Sequence, residues 1–192
     1  MTQEKALEFL KFAEKLKCAT RHSWTSSGRR ESVAEHVFGL MIFAWLVRDE
    51  FPDCDPYRVM ELSLFHDMGE ALTGDIPAFE KTEEDRKKEE DTYGQIVNLL
   101  PEPEKSRLGD IFEELSEGKT PEAKLMKAMD KLEAVIQHNE ADISTWLPLE
   151  YELQLTYGQK QTENIPWMAK MRERVCQDAV EKMEREGGKS GE

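Results

Sequence analysis

An all-α fold is predicted by three observations on the sequence. Apolar residues recur at helical spacing along most of the chain, capping and stop signals punctuate those runs, and no stretch alternates apolar and polar residues as a half-buried strand does. The expected architecture is a compact helical bundle forming one domain over residues 1–186. Residues 187–192, composed of glycine, serine and charge, are expected to be a disordered tail.

Each element has its own local reason. Phe9, Phe12, Ala13 and Leu16 keep helical spacing in a first helix. Residues 21–30 break the pattern, and Ser23, Thr25, Ser26, Ser27 and Gly28 read as a loop. Ser32-Val33-Ala34-Glu35 is a capping box. The helix it opens is apolar on nearly all sides over 37–47, which predicts a central, buried position before the stop at Pro52. Asp55-Pro56 is an N-cap followed by proline at the first helical position. The helix after it carries Val59, Leu62, Ser63, His66 and Glu70 on one row and ends in the loop Thr73-Gly74-Asp75-Ile76-Pro77. The charge run over 80–91 has Glu83/Lys87 and Glu84/Lys88 at i,i+4, which predicts a solvated helix face. Further helices are expected near 104–116, ending at Gly118, from Thr120-Pro121 to about Asn139, and over 166–186, with a loop or short helical turn around Trp146-Leu147-Pro148.

Composition narrows the function. The 192 residues can bury about 70% of the unfolded surface, enough for a core without covalent staples. Cys18, Cys54 and Cys176 are odd in number with no CxxC spacing, which argues against a disulfide framework or zinc finger and for a reducing, cytoplasmic setting. The charged start offers no secretory signal, and the longest apolar run is too short to span a bilayer. A net charge of −14 repels nucleic acid and anionic membrane, so neither is expected as a partner. A small anionic substrate stays possible where cations gather locally.

The chemistry concentrates at His66-Asp67, an imidazole and a carboxylate side by side in an apolar helix end. Buried charges are paired or coordinate metals. Distant in sequence, His36 and Asp130 would complete a mixed N/O set suited to a divalent transition metal. Bland readings stand beside this one. His36 and His66 each fit a core histidine bonded to a backbone carbonyl. Asp130 points away from the apolar stripe of its helix and fits a solvated aspartate, unless Met126, Asp130, Glu133 and Gln137 form a second buried face. Glu70 fits an orienting group, a general base or a surface glutamate, and Asp75 fits a turn aspartate.

These pieces in this order resemble the HD-domain metal-dependent phosphohydrolases. The signature is His36, then His66-Asp67, then Asp130. Glu31-Ser32-Val33-Ala34-Glu35-His36, the block from His66-Asp67 through Glu70 to Thr73-Gly74-Asp75-Ile76-Pro77, and Arg21-His22-Ser23-Trp24 resemble the branch containing bacterial 5′-deoxynucleotidases and their eukaryotic relatives. The likeness covers roughly residues 11–137. It implies that His36, His66, Asp67 and Asp130 hold one divalent cation (Mn, Co, Fe or Zn), that Glu70 and Asp75 are catalytic, and that Arg21 grips phosphate while Trp24 packs on the nucleoside. The implied reaction is hydrolysis of nucleoside 5′-monophosphates, deoxyribonucleotides first, by a homodimer. Other HD chemistries, alarmone or cyclic-nucleotide hydrolysis and non-catalytic nucleotide sensing, are the alternatives. His22 and Ser23 separate Arg21 from Trp24, whereas in some members the tryptophan directly follows the arginine. Arg29 and Arg30 therefore compete with Arg21 for the phosphate role, against a surface salt-bridge reading for both.

Overall fold

A computed structural model describes residues 1–77 and 79–186. The tail expected at 187–192 lies outside the described residues. Helix α1 (Gln3–Ala13) starts where Thr2 accepts the Lys5 N–H at 3.2 Å and tightens into a 3-10 turn over Glu14–Lys17, burying Phe12 and Leu16.

The stretch expected to be a loop is a hairpin. β1 (Thr20–Trp24) pairs antiparallel with β2 (Arg30–Ser32), with Thr20 opposite Ser32 and Trp24 opposite Arg30. Its register is irregular and its residues largely polar, so there is no alternation to read from the sequence. Gly28 closes the turn at φ 82, a backbone state that glycine enters without strain.

Helix α2 (Val33–Val47) has the complete capping box: Ser32 accepts the Glu35 N–H, and Glu35 accepts the Ser32 N–H. Its burial corrects the expectation of an all-round core helix. Val33, His36, Val37, Leu40, Phe43, Ala44 and Val47 face inward, whereas Phe38 is 68% exposed, Leu46 64%, Trp45 53% and Ile42 46%. An apolar helix surface shows that a partner face exists only where a neighbour covers it, and α2 has neighbours on one side.

Helix α3 (Pro56–Phe65) is capped by Asp55, whose carboxylate accepts the Tyr57 N–H. It stops at His66 instead of running on through Glu70. Residues 66–69 form turns, and α4 (Glu70–Thr73) is a single turn ending at Gly74, φ 74. His66 therefore caps α3, and Glu70 opens the next helix. Helix α5 (Glu83–Val97) is opened by a Thr82/Asp85 capping box, and α6 (Glu104–Glu117) is closed by Gly118 in the left-handed region. Helix α7 (Pro121–Glu140) begins as expected from Thr120 and proline at N1. Two short helices absent from the sequence reading, α8 (Glu150–Thr156) and α9 (Gln159–Thr162), precede α10 (Pro166–Glu186).

Helix α7 is the spine. It packs on α2, α3 and α10, and Leu40, Leu62, Met129, Leu132 and Met168 are fully buried where they meet. Helices α5 and α6 pair with each other, and Tyr93 stacks on Phe112 at 4.2 Å between ring centres. No described helix is long and apolar enough to cross a membrane.

Candidate metal centre

Packing brings together four side chains from three elements. Helix α2 supplies His36, the turn after α3 supplies His66 and Asp67, and α7 supplies Asp130. His36 Nε2 lies 3.2 Å from Asp130 Oδ1 and 3.7 Å from Asp67 Oδ2. His66 Nε2 lies 3.0 Å from Asp67 Oδ2 and 3.8 Å from Asp130 Oδ1. His36, His66 and Asp67 each offer a donor atom within 4.8 Å of the others.

The outer nitrogens decide which atoms face inward. His66 Nδ1 meets the Ser63 carbonyl at 2.8 Å, so it carries the proton and leaves Nε2 a lone pair. That Nε2 is buried without a hydrogen-bond partner. His36 Nδ1 is bonded to the Glu133 carboxylate, which aims Nε2 at the aspartates, where it meets Asp130 Oδ1 at 3.2 Å. His36 is therefore not held by a backbone carbonyl, and Asp130 is buried, not solvated, because Met126, Asp130 and Glu133 do form a second buried face of α7. Lys131 occupies Asp130 Oδ2 at 2.8 Å and leaves Oδ1 to the centre.

Two lone-pair nitrogens facing two carboxylates form a donor set that fits a divalent cation. With protons alone, the cluster balances itself differently. Burial opposes charge on His36 and Arg21 adds to that, yet Asp130 and Glu133 raise it to about 9. Burial likewise opposes charge on Asp67, but the imidazoles hold it well below the carboxylate range. Burial opposes charge on Asp130 too, and Lys131 with His36 holds it low.

A second cluster shares Asp67. Glu70 and Glu89 offer oxygens within 4.8 Å of it and of each other. Lys81 pairs with Glu89 and lies 3.7 Å from Glu70 Oε1, while Glu70 Oε2 is buried without a hydrogen-bond partner. Burial, then Asp67, Asp75 and Glu89, push Glu70 up to about 10. The charge run thus has an inward member: Glu89, Thr92 and Ile96 are buried at helical spacing on one face of α5.

Arg21 extends from β1 to Glu31 at 3.1 Å and Glu133 at 3.9 Å. Arg21 and Asp75 line a cavity of about 200 Å³. Burial raises Asp75, with Arg21 pulling it back. Trp24 is not among the residues lining that cavity. Its ring carries Arg30 at 4.6 Å and meets the edge of His22 at 5.2 Å. Arg29 is held at the surface by Glu35.

The sequence reading did not assign roles to Glu133, Glu89 or Lys81. Gly39 was a signal for the first, because a Cβ there would lie 3.3 Å from Glu133 Cδ with its carboxylate closer still. The glycine lets α7 deliver that carboxylate to His36.

The chain is similar to known proteins. The HD domain family matches residues 13–172. Human 5′-deoxynucleotidase HDDC2 is 33% identical over 138 residues, which span 70% of this chain and 67% of that one. The Schizosaccharomyces pombe 5′-deoxynucleotidase hdd1 is 27% identical over 171 residues, 85% and 80% of the two chains. A predicted metal-dependent phosphohydrolase from Magnetospirillum magnetotacticum shares the fold at TM-score 0.79 and 22% identity, covering 93% of each chain. The match runs from the end of α1 into α10 and contains all four side chains of the His/Asp cluster; the chain belongs to the HD-domain family.

Proposed function

We propose that this chain is a metal-dependent 5′-deoxynucleotidase that hydrolyses nucleoside 5′-monophosphates to nucleoside and phosphate. The observation that carries the reading is the convergence of the His36 and His66 Nε2 atoms on Asp67 and Asp130, next to a cavity lined by Arg21. Relatives named 5′-deoxynucleotidase support the substrate class.

His36, His66, Asp67 and Asp130 would hold one divalent cation, with Mn, Co, Fe or Zn suited to imidazole plus carboxylate. Once bound, it supplies Lewis-acid polarisation of the phosphoryl group and lowers the pKa of water. Arg21, fixed by Glu31, places its guanidinium against the phosphate, whose oxygens its planar fork matches. Glu70 orients the attacking water through its unpartnered oxygen; its raised pKa would fall with a cation bound beside Asp67, letting it take that water's proton. The new P–O bond forms as the P–O5′ bond breaks, and Asp75 serves the departing oxygen or the attacking water. Trp24 acts from behind His22, as a wall to the nucleoside pocket and not as a lining residue.

Residues 1–186 form the catalytic unit in this reading. The three free cysteines suit a reducing cytoplasm. A second copy of the chain is the expected partner. Phe38, Ile42, Trp45 and Leu46 form an apolar strip on α2 that a twofold axis would pair with itself. Trp45→Asp should then convert a dimer to monomers in sedimentation.

The decisive experiment is phosphate release from nucleoside 5′-monophosphates after chelation and reloading with single metals. Turnover of deoxyribonucleotides is expected. Faster hydrolysis of the alarmone or a cyclic dinucleotide would overturn the substrate assignment.

A further inference from the structure

The far end of the cavity contains a cluster that no step of phosphate hydrolysis uses. Helix α7 runs along the cavity as a ruler. Asp130 belongs to the His/Asp cluster, Ala134 and Val135 line the cavity one turn on, and His138 lines it two turns on. His138 is thus about 12 Å from Asp130 along the helix axis. A nucleoside monophosphate with its phosphate at the cluster places its base at that level.

There, Glu150 is buried between two imidazoles. Its Oε1 is 3.3 Å from His22 Nε2 and 3.6 Å from His138 Nε2. Neither proximity is a hydrogen bond. His138 Nε2 is directed to the His22 carbonyl at 3.3 Å, and His22 Nε2 has no hydrogen-bond partner. The other carboxylate oxygen, Oε2, accepts the Leu147 N–H at 2.6 Å, which fixes the group in place. Glu150 lines the cavity and its Oε1 accepts no hydrogen bond from the described residues, so a donor on a bound ligand can take that oxygen. Phe79, Leu153 and Tyr157 supply apolar wall around it. The His22 ring is held edge-on by Phe79 at 5.6 Å and Trp24 at 5.2 Å.

We infer that this end of the cavity is a nucleobase site in which Glu150 Oε1 accepts an N–H from an exocyclic amino group, so that amino-bearing bases are selected over their oxo counterparts. The inference rests on the nucleotidase reading for what brings the base there. An oxo group in the same place turns lone pairs toward a fixed carboxylate, and the two acceptors repel. Cytosine and uracil differ in this way at C4, and adenine and hypoxanthine at C6, with little change of shape. The two pairs isolate the one contact.

The test compares dCMP with dUMP and dAMP with dIMP. Turnover (kcat/KM) is read on the metal-loaded enzyme, and equilibrium binding by calorimetry on metal-loaded Glu70→Ala, which removes the proposed proton acceptor. The amino member of each pair is expected to win by at least about 10-fold, the scale of one buried polar mismatch. Glu150→Gln sharpens the result. Its amide oxygen keeps the Leu147 N–H and its NH2 faces the cavity, so a donor replaces an acceptor and the preference inverts. Ratios near one in the unaltered protein, or ratios that Glu150→Gln leaves unchanged, overturn the inference. Discrimination in binding with no hydrolysis of any monophosphate removes the nucleotidase reading and keeps the base site. Hydrolysis without discrimination does the reverse, and absence of both removes both.

Discussion

Asp67 stands between two buried clusters that differ in one respect. On one side are His36, His66 and Asp130; on the other, Glu70 and Glu89. The first has two imidazoles whose Nε2 atoms converge on the aspartates, with Lys131 kept to the outer oxygen of Asp130. The second has only carboxylates, and Lys81 reaches into it to pair with Glu89 and approach Glu70 at 3.7 Å. Nitrogen donors beside carboxylates suit a metal. Carboxylates crowded together need a resident positive charge, and here the chain provides it. The same polypeptide thus builds a centre open to a cation next to one already neutralised, and the shared aspartate couples them.

The largest effect should come from removing a donor on the nitrogen-bearing side. Asp130→Ala is expected to lose bound metal and turnover together, the first measured by elemental analysis and the second by phosphate release. Full metal content in that variant would move the centre elsewhere. Crossing to the carboxylate side should separate the two readouts. Glu70→Ala should lower kcat by about 10²–10⁴-fold, the usual contribution of a positioned proton acceptor, with metal content intact. Loss of metal in this variant would make Glu70 a ligand and erase the distinction between the clusters.

Smaller effects test the supports. Glu133 accepts the Nδ1 proton of His36 from outside the cluster. Glu133→Gln should weaken metal affinity by about 10–100-fold, as loss of such outer partners does. An unchanged affinity in competition with a chelator would show that His36 needs no orienting carboxylate. Lys81→Met should leave Glu70 and Glu89 without their cation and lower the melting temperature by a few degrees, whereas Lys81→Arg keeps it. Equal melting temperatures for both variants would mean that the carboxylates are neutralised by protons and not by Lys81.

The elements read from the sequence are those with local causes. The Ser32 box, the Asp55 and Thr120 caps, proline at the start of α3 and α7, and Gly118 at the end of α6 all act within one helical turn. Where the reading failed, the cause was distant. The polar hairpin of β1 and β2 has no alternation, and it is held where the Ala19 carbonyl accepts the Val33 N–H at 2.9 Å and Gln137 of α7 donates to the Trp24 carbonyl at 2.8 Å. The outer face of α2 is as apolar as its inner face, so sequence alone could not say which side is covered. Glu89 lay inside a charge run that reads as a solvated helix face, and only its spacing to Thr92 and Ile96 marks it as inward.

By itself the sequence determined the helix boundaries that caps control, the all-helical class, and the unusual residues His36, His66, Asp67 and Asp130 as candidates. Each of these depends on residue type and on spacing within a few positions. The tertiary structure alone decided that α3 breaks at His66, that Glu133 comes to His36 from 97 residues away, and that Lys81 fills the second cluster. It also set Glu150 between His22 and His138 at the far end of the cavity. Those pairings depend on which helix faces meet, and faces meet where packing buries apolar surface, a property of the whole chain that no local pattern encodes.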